Sequence, residues 1–352
     1  MANLGDPMRS LIVQPLITPN ELAADLPLSP AAAETIHNGR TAVARILAGA
    51  DDRLLVIVGP CSTHDVDAGL SYAKSLLGIV DELAEDLFVV MRVYTEKPRT
   101  QLGWPGLVSD PHLDGSYDLA RGLPLARSLM LEVAELGMPV ATEWLSPVTP
   151  AYLADLVSWG AIGARTVESQ VHRQLASGLP MPIGMKNSST GSVAAAVDAV
   201  HAAAVPHAYL GMAQNGTPAI LRSTGNPHCH IVLRGAAGRP NYRPAEVADT
   251  VAQLVAADLP TGIVIDASHG NSGKDHERQP VVAREIGTQI AAGTTEIRGL
   301  MLESFLIPGR QNFGDGKPVF GQSITDACMG WDTTTELLAD LATAARHRRT
   351  GH

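Results

Sequence analysis

The chain has 352 residues, 45% of them hydrophobic, which is enough for one large core and within the range of a single α/β barrel. A net charge of −10 with no run of five like charges excludes nucleic acid as a partner of the whole surface, so an anionic ligand has to be met by a local group of cations. Three cysteines are too few for a disulfide framework. With no apolar run of about 18 residues and no basic-then-apolar leader, the sequence reads as soluble and cytoplasmic, without membrane contact.

In chain order, residues 1–50 read as an N-terminal extension: 11–28 mixes apolar and proline positions without a helical period, and Ser29-Pro30 opens a helix to about Leu47. From 51 to 352 short apolar runs alternate with longer amphipathic stretches. The runs are 54–59, 87–94, 139–145, 161–168, 181–186, 230–235, 262–269 and 297–304, apolar on both faces as buried parallel strands are. Helical patterns occupy 66–84, 118–136, 150–159, 193–204, 244–257, 281–292 and 333–346. Eight strands in this rhythm predict a closed (β/α)8 TIM barrel. Residues 209–212 and 219–222 flank Gln214-Asn215-Gly216, which predicts a β-hairpin inserted before the sixth barrel strand. An open doubly wound sheet would want a glycine-rich phosphate turn after its first strand, and Gly59-Pro60-Cys61-Ser62 is not one.

The C-terminal strand ends of such a barrel converge on one mouth. In order they offer Cys61, Arg92, Glu143, Arg165, Lys186, Arg234, His269 and Glu303, all able to bind a metal, bind an anion or move a proton. Cys61, His269 and Glu303, with Asp326 in the loop after strand eight, supply S, N and O donors suited to manganese, iron, cobalt or zinc. Arg92, Arg165, Lys186 and Arg234, with Lys97 and Arg99 past strand two, are too many cations to sit together without anions between them. His64, His112, His172, His207, His228 and His276 read as structural or surface residues, and Glu96 and Asp110 as carboxylates that orient neighbouring cations.

These residues stand in longer motifs. Gly59-Pro60-Cys61-Ser62, the 92–100 segment from Arg92 through Lys97-Pro98-Arg99-Thr100, the 163–170 segment around Arg165, Lys186-Asn187, Leu233-Arg234-Gly235, the 266–272 segment around His269, Glu303-Ser304 and the 323–328 segment around Asp326 resemble type I 3-deoxy-D-arabino-heptulosonate 7-phosphate synthases. The resemblance runs nearly without gaps from Arg53 to Arg348. It implies a microbial, amino-acid-regulated enzyme that condenses phosphoenolpyruvate with erythrose 4-phosphate around one divalent metal ion. Cys61, His269, Glu303 and Asp326 would then hold the metal, and Arg92, Lys97, Arg165, Lys186 and Arg234 would hold phosphoenolpyruvate, with Glu143, Gly163 and Ala164 nearby. Arg99 and Thr100 would meet the erythrose 4-phosphate phosphate, and Lys97, Cys61 and His269 are the catalytic residues expected.

Departures fall at Ser188-Ser189-Thr190-Gly191, at Pro105, and at Ala151 and Pro180 in the family's regulatory pocket, which implies that control by an aromatic amino acid is altered or lost. The alternative, a related phosphoenolpyruvate-dependent sugar-acid synthase with another aldehyde acceptor, is opposed by Lys97-Pro98-Arg99-Thr100. A homodimer or homotetramer is expected.

Overall fold

The computed structural model describes residues 14–99, 101–312 and 318–351. Two helices, α1 (Pro19–Asp25) and α2 (Pro30–Leu47), precede the barrel. Barrel strands and their connections follow: β1 (Leu54–Gly59), α3 (Val66–Leu83), β2 (Leu87–Arg92), α4 (Leu119–Glu135), β3 (Val140–Glu143), α5 (Pro150–Leu153), β4 (Trp159–Ile162), α6 (Gln170–Gly178), β5 (Ile183–Lys186) and α7 (Ala194–Ala204). The hairpin β6 (Ala208–Met212) and β7 (Pro218–Arg222) then interrupts. The circuit resumes with β8 (His230–Leu233), α8 (Pro244–Ala256), β9 (Ile263–Asp266), α9 (Gln279–Ala291) and β10 (Ile297–Glu303), followed by the small pair β11 (Ile307–Arg310) and β12 (Gln322–Ser323) and by α10 (Trp331–Thr350).

The eight barrel strands close in the order β1-β10-β9-β8-β5-β4-β3-β2, all parallel. Because side chains alternate along a strand, Leu55 and Ile57 of β1 point inward while Leu54, Val56 and Val58 pack against the helices. The interior cluster also takes Val90, Ala141, Trp159, Ala161, Val232, Val264 and Met301. It is completed by Val43, Ile46 and Leu47 of α2, so from Pro30 onward the stretch read as an extension contributes to the barrel's own core. Close approach permits this, since a Cβ on Gly39 would lie 2.6 Å from Ser158 Oγ.

The hairpin is antiparallel, with Gly216 at φ +80° closing a three-residue loop, and its tip is bound to α1 through Asn20 N–H donating to the Gln214 carbonyl. The fourth strand differs from expectation. It begins at Trp159 and stops at Ile162, because Trp159, Gly160 and Ala161 pair with Ala141, Thr142 and Glu143, after which Thr166 and Val167 N–H turn back onto the Gly163 carbonyl. The helix expected over 150–159 is accordingly cut to α5 and one short 3₁₀ turn. Two helices went unread, α1 and α6.

Candidate active site

The inward column of five of the eight strands ends at the mouth in a chemically active side chain: Arg92 on β2, Glu143 on β3, Lys186 on β5, Asp266 on β9 and Glu303 on β10. Loops add the rest. Here a cavity of about 370 Å³ is lined by Lys97, Arg99, Glu143, Ala164, Arg165, Lys186, Arg234, His269 and Asp326 among the residues the sequence singled out. Cys61, Arg92 and Glu303 lie beneath it, essentially buried. Gly163 abuts Glu143, whose Oε1 a Cβ there would approach to 2.2 Å. Thr100 lies outside the described residues.

One atom each of Cys61, Glu303 and Asp326 falls within 4.8 Å of the others, and His269 Nε2 lies 3.6 Å from Glu303 Oε1. These three residues form the compact group, with the His269 imidazole beside Glu303 but outside it, and thiol and carboxylate donors next to an imidazole fit a divalent transition metal. Lys97 sits against this group, its Nζ 2.6 Å from Cys61 Sγ and 3.7 Å from Asp326 Oδ2. Burial and the Glu303 carboxylate push the Cys61 thiol up to about 11. Burial opposes the charge on Lys97, but Cys61, Glu303 and Asp326 outweigh it and raise the ammonium well above its ordinary value, so it stays protonated. Burial likewise works against Asp326, yet Lys97 and Lys274 hold its carboxyl far below the usual range.

The positive side is held as deliberately. Arg92 donates to Glu303 Oε1 at 3.1 Å and to the Pro60 carbonyl at 3.2 Å, and stacks over the Tyr94 ring at 3.9 Å, while its buried Nη1 has no partner. A buried guanidinium N–H without an acceptor is costly and suits an anion. Lys186 Nζ lies 3.1 Å from Asp266 Oδ2. Arg234 is set by its own N–H, which donates to Asn187 Oδ1 at 2.7 Å. The β2 loop carrying Lys97 is pinned by Lys97 N–H to the Pro105 carbonyl and Val108 N–H to the Thr95 carbonyl. Gly106, at φ +116°, allows that return, since a Cβ would meet the Thr95 carbonyl at 2.4 Å.

The comparisons with known proteins point one way. The family model described as the DAHP synthetase I family matches residues 27–339. The chain belongs to the DAHP synthetase I family. It is 49% identical, over 98% of its length and 99% of the relative's, to the Trp-sensitive phospho-2-dehydro-3-deoxyheptonate aldolase of Enterobacter agglomerans. It is 48% identical, with the same coverage, to the Phe-sensitive enzyme of Escherichia coli K12. Among solved structures, the phospho-2-dehydro-3-deoxyheptonate aldolase of Francisella tularensis superposes with a TM-score of 0.95 at 45% identity, covering 97% of this chain and 99% of that one.

Within this DAHP synthetase framework two sequence readings change. Glu96 and Asp110, read as orienting cations, bond to loop backbone and hydroxyl groups. Glu96 accepts from Ser146 N–H at 3.3 Å and Thr149 Oγ1 at 3.1 Å, and Asp110 accepts from Gly115 N–H, so both tie loops together. Burial pushes the Glu96 carboxyl up to about 7. Lys274 escaped notice. It lines the cavity, donates to Asp326 Oδ1 at 3.2 Å, and sits at φ +64° with its N–H on the His269 carbonyl. The histidines read as structural include His172 and His207, which bond to the Leu145 and Ala202 carbonyls. Ala151 and Pro180 line a second cavity of about 290 Å³ between α5, α6 and the hairpin. The divergent Ser188–Gly191 stretch closes on itself through Ser188 Oγ and Thr190 Oγ1, 2.8 Å apart.

Among the described residues no helix is long and apolar enough to cross a membrane.

Proposed function

We propose that this mouth condenses phosphoenolpyruvate with erythrose 4-phosphate, giving 3-deoxy-D-arabino-heptulosonate 7-phosphate and inorganic phosphate. The observation that carries the reading is the adjacency of the Cys61, Glu303 and Asp326 group, with His269 next to Glu303, to a cavity ringed by cations. Cys61, His269, Glu303 and Asp326 would hold one divalent ion, manganese, iron, cobalt or zinc by donor type, which supplies Lewis-acid polarisation of the acceptor aldehyde. Arg92, Arg165, Lys186 and Arg234 hold the phosphate and carboxylate of phosphoenolpyruvate, near Glu143 and the Gly163-Ala164 backbone. Arg99 and Thr100 meet the phosphate of the four-carbon acceptor. A bond forms between C3 of phosphoenolpyruvate and the aldehyde carbon, and Lys97 gives a proton to the aldehyde oxygen. Water adds at C2, and cleavage of the C–O bond releases phosphate.

The Trp- and Phe-sensitive character of the relatives supports an aromatic amino acid as effector, with a response altered by Ala151 and Pro180. Residues 1–50 and the hairpin would furnish subunit contacts in a homodimer or homotetramer. Leu210 and Ile220, cross-strand partners, are 89% and 75% exposed beside α1, an apolar pair that such a contact would cover. Small phosphorylated substrates fit a cytoplasmic location.

The test is phosphate release from phosphoenolpyruvate. It should require erythrose 4-phosphate, fall at least about a thousandfold under chelation, and return with added manganese. A preference for a five-carbon aldehyde, or turnover indifferent to chelator, would sink the assignment. In the same assay, millimolar phenylalanine, tyrosine and tryptophan read out the effector, and strong inhibition by any one counts against loss of control.

A further inference from the structure

The carboxylate of Asp266 ends the inward column of β9, with no exposed surface. Its neighbours belong to opposite halves of the site. Oδ2 lies 3.1 Å from Lys186 Nζ and 2.8 Å from His269 Nδ1. Oδ1 accepts the N–H of Ser268 at 2.9 Å and its hydroxyl at 2.7 Å. The other groups around His269 agree with this orientation. Ser268 Oγ is 3.0 Å from Nδ1, and Glu303 Oε1 is 3.6 Å from Nε2.

An ionised carboxylate can only accept, so Nδ1 is the donor, and a neutral ring held this way carries its lone pair on Nε2, the side next to Glu303. A carboxylate behind a ligating imidazole also raises its basicity and stops it rotating. The same oxygen draws the Lys186 ammonium to the wall of the cavity, which fixes the height at which it can meet an anion.

We propose that Asp266 is a positioning residue serving both halves of the site at once, setting the tautomer and ring of His269 for a metal and the place of Lys186 for an anionic group of phosphoenolpyruvate. This rests on His269 and Lys186 having the roles given above. A purely structural counter-ion is available for contrast in Asp86, equally buried but paired with Arg346 and Arg349 at the opposite end of the barrel.

The experiment is a cobalt(II) titration of chelator-treated full-length protein, following thiolate-to-cobalt absorption, alongside steady-state kinetics on the reloaded enzyme. Asp266→Asn should raise the cobalt Kd about 10–100-fold, raise KM for phosphoenolpyruvate several-fold and lower kcat. Asp86→Asn should leave the cobalt Kd unchanged. An Asp266→Asn Kd within twofold of wild type overturns the proposal, as does an equal weakening by Asp86→Asn. Should Asp266→Asn not fold, Ser268→Ala removes a single hydrogen bond to the carboxylate. A several-fold weaker Kd there supports the proposal, and a wild-type Kd refutes it. Absence of the absorption band in the wild type itself would instead overturn the metal reading, and this inference with it.

Discussion

The two ends of one set of strands carry opposite chemistry. Low in the barrel the inward positions are Leu55, Ile57, Val90, Ala141, Trp159 and Val264, stoppered by Val43, Ile46 and Leu47 of α2. A polar contact that reaches in there joins neutral groups: Trp159 Nε1 donates to His230 Nε2 at 3.2 Å, and burial lowers the His230 pKa to about 4. A layer or two higher the same columns end in Arg92, Glu143, Lys186, Asp266 and Glu303. The lower end is held by dispersion and exclusion of water, and the upper end by opposed charges that compensate one another only while each stays in place. Stability and chemistry are thus separated along the barrel axis by a few ångström, and each end should fail in its own way.

The largest effect is expected at the bottom. Ile46 has no exposed surface, so Ile46→Ala should cost about 2–5 kcal/mol of unfolding free energy while leaving kcat nearly unchanged in protein that remains folded, as read by denaturant titration and the phosphate assay. Loss of activity at unchanged stability would erase the distinction between the ends. The reverse is expected at the mouth. Gly163→Ala places a methyl where Glu143 Oε1 now sits, and that carboxylate can swing aside without unpacking the core. Its kcat/KM should fall roughly 10–100-fold with stability changed by less than about 1 kcal/mol.

The subtlest test uses Glu96, on the segment that carries Lys97. With its carboxyl raised to about 7 by burial, the folded protein holds a proton there that the unfolded chain has lost. Stability is therefore greatest below the ordinary carboxyl value near 4.5 and declines as pH rises toward 7. Glu96→Gln keeps an acceptor for Ser146 and Thr149 and removes that decline. Its unfolding free energy relative to wild type should improve between pH 5 and pH 8 by roughly 1–3 kcal/mol, and a pH-independent difference would refute the burial argument.

Much of this was legible from residue types alone. The βα rhythm placed the barrel, and cations with candidate metal donors at and just past its strand ends pointed to one mouth, where a cavity lies. What escaped did so for identifiable reasons. The start of β4 was hidden because Trp159-Gly160 looks like a helix end, and only pairing with Ala141 and Thr142 shows otherwise. Gly160 is needed there because a Cβ would lie 2.6 Å from Trp144 Nε1. The helix α6 is short and mostly polar, so it has little period to read. For α1 the signal existed: Thr18 and Glu21 form a reciprocal capping box, spaced as such boxes are. Asp266 could have been found by counting in twos from Val264, whereas Lys274 acts on Asp326 from 52 residues away.

The alternation of side chains has a consequence for how such an enzyme can diverge. Every strand presents one inward group per layer, and at the upper layer five of the eight places are already taken by charges that balance their neighbours, so replacing any one unsettles the others. Arg99, Gln101 and Leu102 reach the cavity from loops without an ion pair to the strand-borne groups among the described residues, so length and sequence can drift there without disturbing that balance. New acceptor preferences would therefore arise by remodelling the rim, leaving the strand-borne groups as the inherited part of the chemistry.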